Sequence, residues 1–222
     1  MDHDINHIDI PAEAAPFLPE PTLRRLPWYL SYVEILKARG VVTVSSTQIS
    51  RALSVDASQI AKDLSCLNIK GKTRIGYDVD TLCSTLVSFL GFRQPHSAFI
   101  AGVGSLGEAL IRDRGLANYG LDIVAGFDID PELVGSKICG VEIYHPDEMR
   151  LRHRMAPASI GILTVPVGAA QDMADTMVAC GITAIWNFTP YRVRVRDGIV
   201  LTNTSIYAHL ALIYNRLTSH HQ

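Results

Sequence analysis

The sequence predicts an α/β chain: a head of short helices, then a doubly wound parallel sheet flanked by helices. Three observations predict it. Residues 20–67 hold three helical segments, and two of them open on the same capping signature, Ser45-Ser46-Thr47-Gln48 and Asp56-Ala57-Ser58-Gln59. From Ala98 the apolar pattern changes to alternating strands and helices, the rhythm of a parallel sheet covered on both faces. Between the first of these strands and its helix stands Gly102-Val103-Gly104-Ser105-Leu106-Gly107, with GxGxxG spacing.

Composition narrows the class. With 222 residues, 48 % hydrophobic and 19 % charged, the chain can bury a core and does not read as a disordered polymer. No apolar run approaches the roughly 18 residues of a membrane span, and the first residues lack the basic and apolar stretches of a secretory signal. Cys66, Cys83, Cys139 and Cys180 form no CxxC pair, which argues against a disulfide or zinc framework and for reduced thiols in a cytoplasmic protein. The net charge of −2 conceals an asymmetry, because residues 20–77 carry nine Lys and Arg against four acids. A local positive surplus on an otherwise acidic chain suits an anionic partner.

Taken in order, residues 1–17 read as a flexible acidic tail; His3 and His7 there lack the fixed geometry a structural metal needs. Leu23, Leu26, Leu30, Val33 and Leu36 give the first helix an apolar stripe, with Pro27 expected in an early turn or at a kink and Gly40 as the stop. Val41–Val44 is a short apolar link. The second helix opens at Ser45 and runs to about Leu53, and the third opens at Asp56 and runs to about Leu67. Asn68–Tyr77, with Gly71 and Gly76 among Lys70, Lys72 and Arg74, reads as a basic β-hairpin wing. Three helices and a wing make a winged helix-turn-helix over residues 18–90, closed by a linking helix at Asp78–Leu90.

Residues 91–203 then read as a Rossmann-like domain. Strands are expected at Ala98–Gly102, Asp122–Asp128, Val141–Tyr144, Ser159–Val165, Ile182–Asn187 and Ile199–Leu201, with helices at Ser105–Arg114 and Ala169–Cys180. Residues 204–222 hold a last amphipathic helix from Ser205 to Leu217.

The glycine turn assigns a dinucleotide. Gly102 permits the tight turn, Gly104 lets backbone approach a pyrophosphate, and Gly107 lets the helix pack on the strand. The helix N-terminus then offers its N–H groups to the phosphates. Asp128 ends the second strand 21 residues after Gly107, where a carboxylate accepts hydrogen bonds from the adenosine ribose. No Arg or Lys follows it directly, which favours NAD(H) over NADP(H). Thr164-Val165-Pro166 and Asn187-Phe188-Thr189-Pro190 follow the fourth and fifth strands and are expected to border the nicotinamide half.

Catalysis is not expected. Hydride transfer usually needs an acid–base partner beside the nicotinamide, and no tyrosine here has a lysine four residues on. His145 and His209 lack a suitable setting, and there is no substrate domain. In the head, Ser58, Gln59 and Lys62 open a helix suited to the major groove, Ser46 starts the preceding one, and Lys70, Lys72 and Arg74 would hold phosphates or the minor groove. Two rivals stay open, a small NAD-dependent oxidoreductase and a CoA-binding regulatory module that shares the glycine turn.

Over residues 18–217 the chain resembles the Rex family of redox-sensing repressors. The resemblance rests on Leu18-Pro-Glu-Pro-Thr-Leu-Arg-Arg-Leu-Pro-Trp-Tyr29, Val44-Ser-Ser-Thr-Gln48, Ala57-Ser-Gln-Ile-Ala-Lys-Asp-Leu64, Gly76-Tyr-Asp-Val79, Phe127-Asp-Ile-Asp-Pro-Glu-Leu-Val-Gly135, Leu163-Thr-Val-Pro166 and Asn187-Phe-Thr-Pro190. It implies a homodimer that exchanges its C-terminal helix, binds an A/T-rich inverted-repeat operator, and leaves DNA when NADH replaces NAD⁺. Some positions depart from the family pattern. Ala61 stands where Arg is common, Cys66-Leu67-Asn68 where Tyr-Phe-Gly is common, and Ser31 and Ser205 where an Arg and an Asp often serve the switch.

Overall fold

A computed structural model describes residues 18–219; the predicted tail with His3 and His7, and residues 220–222, lie outside the described residues. The chain divides into two compact units, the first ending at Arg93 and the second beginning at Gln94.

The first unit runs α1 (Glu20–Ala38), β1 (Thr43–Val44), α2 (Ser46–Leu53), α3 (Ala57–Ser65), β2 (Tyr77–Asp78) and α4 (Val79–Phe89). Ser45 caps α2 through a complete capping box: its hydroxyl accepts from Gln48 N at 3.1 Å while Gln48 Oε1 accepts from Ser45 N at 2.8 Å. Asp56 caps α3 by accepting from Ser58 N and Gln59 N, but the second box is not closed in the same way, because the Gln59 side chain turns instead to Asp63. Leu26, Leu30 and Val33 of α1 form one core with Ile49, Ile60, Leu64, Leu82 and Leu86. The expected stripe is wrong at one end. Leu23 is 40 % exposed and Tyr29 is fully buried in its place. Pro27 lies well inside α1, not in its first turn.

The expected hairpin at Asn68–Tyr77 is also corrected. The two-stranded antiparallel sheet pairs β1 with β2, Val44 opposite Tyr77 and Thr43 opposite Asp78, so the second half of the apolar link is a strand. The wing loop closes only where Lys72 and Gly76 exchange backbone hydrogen bonds of 2.8 Å. Gly76 is required there: its φ is +92° and a Cβ would overlap the Val44 carbonyl oxygen.

Asp63, 1 % exposed, fastens α3 to α1. It accepts from Arg25 Nε at 2.7 Å and Nη2 at 2.8 Å, Tyr29 OH at 2.7 Å, Gln59 Nε2 at 2.8 Å and Thr22 Oγ1 at 3.1 Å. Burial pushes the Asp63 carboxyl up, but the bonds from Arg25, Tyr29, Gln59 and Thr22 outweigh it and hold the group below the ordinary Asp range. The same contact raises the Arg25 guanidinium, and burial together with the Asp63 bond raises the Tyr29 phenol.

The second unit runs β3 (His96–Ala101), α5 (Ser105–Arg112), α6 (Arg114–Asn118), β4 (Leu121–Phe127), β5 (Lys137–Ile138), β6 (Val141–Tyr144), α7 (Met149–Met155), β7 (Ile160–Leu163), α8 (Ala170–Cys180), β8 (Ala184–Asn187), β9 (Val200–Asn203) and α9 (Ile206–Ser219), with 3₁₀ turns at Pro146–Glu148 and Val167–Ala169. The sheet order is β5-β6-β4-β3-β7-β8-β9, parallel throughout except for the edge pair β5–β6. The chain therefore reverses direction of travel across the sheet between β3 and β7, the switch point at which doubly wound sheets bind ligands. Alternate residues of β3 serve opposite faces, Phe99 and Ala101 in one core cluster and Ala98 and Ile100 in the other.

Three elements differ from expectation. The helix expected at Ser105–Arg114 stops at Arg112, and Asp113 caps a separate α6 by accepting from Gly115 N at 2.7 Å. Strand β5 and helix α7 have no counterpart in the sequence reading. β5 and β6 are joined by Cys139 and Gly140, both at positive φ (50° and 90°), a turn usually signalled by Asn-Gly or Asp-Gly. Every side chain of α9 from Ile206 to Thr218 is exposed, so the exchange of this helix between subunits is not visible in a single chain. No helix among the described residues is long and apolar enough to cross a membrane.

Replacing Asp63 by Ala strands Arg25, Tyr29 and Thr22 and is expected to lower head stability by about 3–5 kcal/mol, read as a fall in the denaturant midpoint. Because the folded pKa lies below the unfolded value near 4, the stabilisation from Asp63 is full above that value. It is lost as pH falls through the folded pKa, so the wild type and Asp63→Ala should converge in stability in acid.

Candidate functional site

The carboxyl ends of β3, β4 and β7 bring the predicted nucleotide residues together. Gly102 takes a φ of +89°, and a Cβ on it would lie 2.7 Å from the carbonyl carbon and oxygen of Thr164 and from Val165 N. Gly107 is packed more tightly, since a Cβ there would overlap the carbonyl oxygen of Gly102. Thr164 locks the same carbonyl: its Oγ1 lies 2.6 Å from Gly102 O and 2.9 Å from Ala101 O. Two of the three glycines are thus fixed by the protein's own backbone. Gly104 is not. It has no atom within 4 Å of a Cβ position, an ordinary φ of −68°, and stands exposed as the N-cap of α5 without a side-chain cap.

Asp128 follows β4 and reaches across to the turn. Its Oδ2 accepts from Val103 N at 2.6 Å and its Oδ1 accepts from Asp130 N at 3.0 Å. A carboxylate offers about four lone-pair sites, so both oxygens retain acceptor capacity. Val103 is buried, Leu106 half-buried and Ser105 exposed on the first turn of α5.

The turns after β7 and β8 each divide between side chains that build the turn and side chains left more open. Val165 is half-buried and Pro166 exposed. Asn187 is fully buried and spends all its hydrogen-bonding capacity on the loop: Nδ2 donates to Tyr191 O at 2.7 Å and Asn203 Oδ1 at 2.8 Å, and Oδ1 accepts from Thr189 N and Oγ1. Asn187 and the buried Thr189 therefore shape the turn from within. Phe188 is half-buried against Trp186 (ring centroids 4.6 Å), whose indole N–H donates to Thr204 Oγ1 at 2.9 Å, and Pro190 is exposed.

In the head, α3 turns Ser58 and Lys62, one helical turn apart, to solvent, with Gln59 half-buried beside them and Ser46 half-buried at the start of α2. The Ser58 hydroxyl is engaged with Asp56. Lys70, Lys72 and Arg74 are all exposed on the wing. Arg74 holds the left-handed region at φ 66°, next to Ile75, which is 57 % exposed. Asn68, where the family commonly has Gly, sits at φ 58°. That position demands left-handed backbone, and Asn is among the few other residues that tolerate it. The residue that the sequence reading missed is Asp63. An acid between Lys62 and Leu64 carries no local signal of its burial.

Residues 18–65 match the family model described as "Putative DNA-binding protein N-terminus", and residues 93–191 match the CoA binding domain model. The redox-sensing transcriptional repressor Rex of Bacteroides fragilis is 55 % identical over 217 residues, covering 98 % of this chain and 96 % of that one. The chain belongs to the Rex family. The Rex-family repressor RSP, in its crystal structure with NAD⁺ and operator DNA, superposes with a TM-score of 0.87 at 34 % identity, over 92 % of this chain and 94 % of RSP. RSP with NADH gives 0.83, over 92 % and 96 %. The CoA binding domain match falls on the Rossmann-like unit, whereas the Rex relatives span both units.

The geometry separates the glycines by experiment. Gly107→Ala forces backbone apart and is expected to cost at least about 1–3 kcal/mol of stability. Gly104→Ala meets open space and should stay within about 0.5 kcal/mol of wild type. Thermal or denaturant unfolding of the two variants checks both.

Proposed function

We propose that the chain is a cytoplasmic, homodimeric repressor that binds an A/T-rich inverted-repeat operator and releases it when NADH binds. The observation that carries this reading is the joint occurrence, in one polypeptide, of the Gly104 opening beside Asp128 at a switch point and a basic helix-turn-helix head. The Rex relatives are named as transcriptional repressors, not as enzymes. RSP, solved with NADH and with NAD⁺ plus operator DNA, supports NADH, NAD⁺ and operator DNA as the ligands here.

Gly104 would admit the pyrophosphate, with the Val103, Ser105 and Leu106 backbone around it and Gly102 and Gly107 holding the turn. Asp128 would accept from the adenosine ribose with its remaining lone pairs, and its charge would repel a 2′-phosphate. Thr164, Val165 and Pro166, and the Asn187–Pro190 turn, would wall the nicotinamide half, with Phe188, Val165 and the prolines forming the apolar part and Asn187 and Thr189 holding the turn in shape. In the head, Ser46, Ser58, Gln59 and Lys62 would meet the operator from α2 and α3, and Lys70, Lys72 and Arg74 would meet phosphates or the minor groove. A second copy is supported by α9, whose Ile206, Leu210, Ile213 and Leu217 are each exposed along a helix with no cover in one chain.

The switch obeys linkage. A nucleotide loosens DNA only to the extent that it binds the DNA-incompetent dimer more tightly than the competent one. An uncharged reduced nicotinamide enters an apolar wall at lower desolvation cost than its cationic oxidised form, which gives the required difference.

Titration of NADH into a complex with an A/T-rich palindrome tests the reading: release by NADH and retention with NAD⁺ are expected, and unchanged binding at saturating NADH refutes the switch. Competition by CoA in place of NADH would favour the CoA module. Asp128→Ala should weaken NADH at least about tenfold, from loss of charge-assisted hydrogen bonds, with operator binding by the nucleotide-free protein preserved. Operator affinity should fall steeply with salt, and the log–log slope should shrink by about 0.9 for each phosphate-contacting Lys or Arg removed from the wing.

A further inference from the structure

If the head binds an operator as proposed above, α3 meets the bases with one side chain whose polarity the head itself fixes. Asp63, on the buried side of α3, is surrounded by donors: Arg25, Tyr29 and Thr22 from α1, and Gln59 one turn earlier on its own helix. A carboxylate without a proton only accepts. The side-chain amide of Gln59 must therefore point its nitrogen, not its oxygen, at Asp63 Oδ1, 2.8 Å away. An Asn or Gln amide can ordinarily flip to suit what it meets; this one cannot without placing oxygen against carboxylate. Gln59 Oε1 accepts no hydrogen bond among the described residues, and Gln59 is half-buried directly beside the exposed Lys62. The amide of this half-buried residue thus has a fixed polarity, with one acceptor unpartnered among the described residues and one remaining N–H.

We propose that Gln59 is a specificity-determining residue that demands a base bearing an exocyclic amino group in the major groove, adenine above all, and that Asp63 is the positioning residue that fixes this demand. Adenine presents the N6 amino donor beside the N7 acceptor, the complement of the fixed amide. Guanine presents two acceptors, O6 and N7, and sets O6 against Gln59 Oε1. Thymine presents O4 and meets the same conflict. A Gln free to flip could turn its whole NH₂ to guanine; the tethered one keeps a single N–H, which suits N7, and sets its oxygen against O6.

The test uses the full-length protein and a duplex selected by it from a randomised pool. Each adenine of one half-site is replaced in turn by purine, which keeps N7 and lacks the 6-amino group, and separately by guanine. For the wild type, one adenine position should lose about tenfold in affinity with purine and more with guanine. Gln59→Ala should bind more weakly overall and be indifferent to both replacements at that position. Asp63→Asn, with its fold checked by circular dichroism, should retain the contact but lose the adenine-over-guanine preference there, a change that a merely structural weakening would not make. If Asp63→Asn does not fold, the Gln59→Ala comparison decides alone. Equal purine sensitivity of the wild type and Gln59→Ala at every position overturns the inference. Failure of the wild type to enrich any duplex overturns the operator-binding reading, a distinct result.

Discussion

There is no space for a methyl group between Gly107 and the carbonyl oxygen of Gly102, and that contact organises the second unit. It brings the start of α5 against the end of β3. Thr164 then closes the arrangement from the neighbouring strand by placing its hydroxyl on the same carbonyl. Because β3 and β7 are adjacent but not consecutive, their meeting at this carbonyl sits where the chain reverses its progress across the sheet. The glycine turn and its seat against β7 are one construction, and Asp128 joins it by accepting from Val103 N.

The same economy of contact governs the head by different chemistry. There a single carboxylate collects donors from two helices, and its burial is tolerable because those donors are charged or well aligned. Removing any of them leaves the rest facing a buried anion, so the network holds α3 at a defined rotation on α1 while also deciding which atoms of α3 remain available outside. Stability and readout share one side chain, Asp63.

Much of this was legible in the sequence, for a reason that can be stated residue by residue. The glycine turn and Asp128 are visible because the backbone itself makes the demand at fixed spacing. The capping box at Ser45 is visible because its partners lie three residues apart. The Asp63 network was not, since Thr22, Tyr29 and Arg25 lie 34 to 41 residues away and no local pattern marks them. It also explains the misjudged α1 stripe: the phenol of Tyr29 is admitted to the core because Asp63 waits for it. β1 escaped notice because a two-residue strand exists only through its partner, and the hairpin at Cys139-Gly140 because cysteine stands where Asn or Asp would announce the turn. The spacing of the Asn187–Pro190 turn after its strand was legible, but not that the side chains of Asn187 and Thr189 turn inward to bond the loop's own polar groups.

The chain has two tryptophans, and they fall one in each unit. Trp28 lies on the open side of α1, 58 % exposed. Trp186 lies in β8, its ring tilted against Phe188 and its indole N–H bonded to Thr204. Their emission should therefore differ in colour and in access to quenchers, the water-facing indole red-shifted and readily quenched, the strand-bound one bluer and shielded. Reduced nicotinamide absorbs where tryptophan emits, so energy transfer from the shielded indole would offer an optical signal from the sheet that needs no label. The exposed indole would separately sense events at the helical head. The molecule carries its own two-channel reporter.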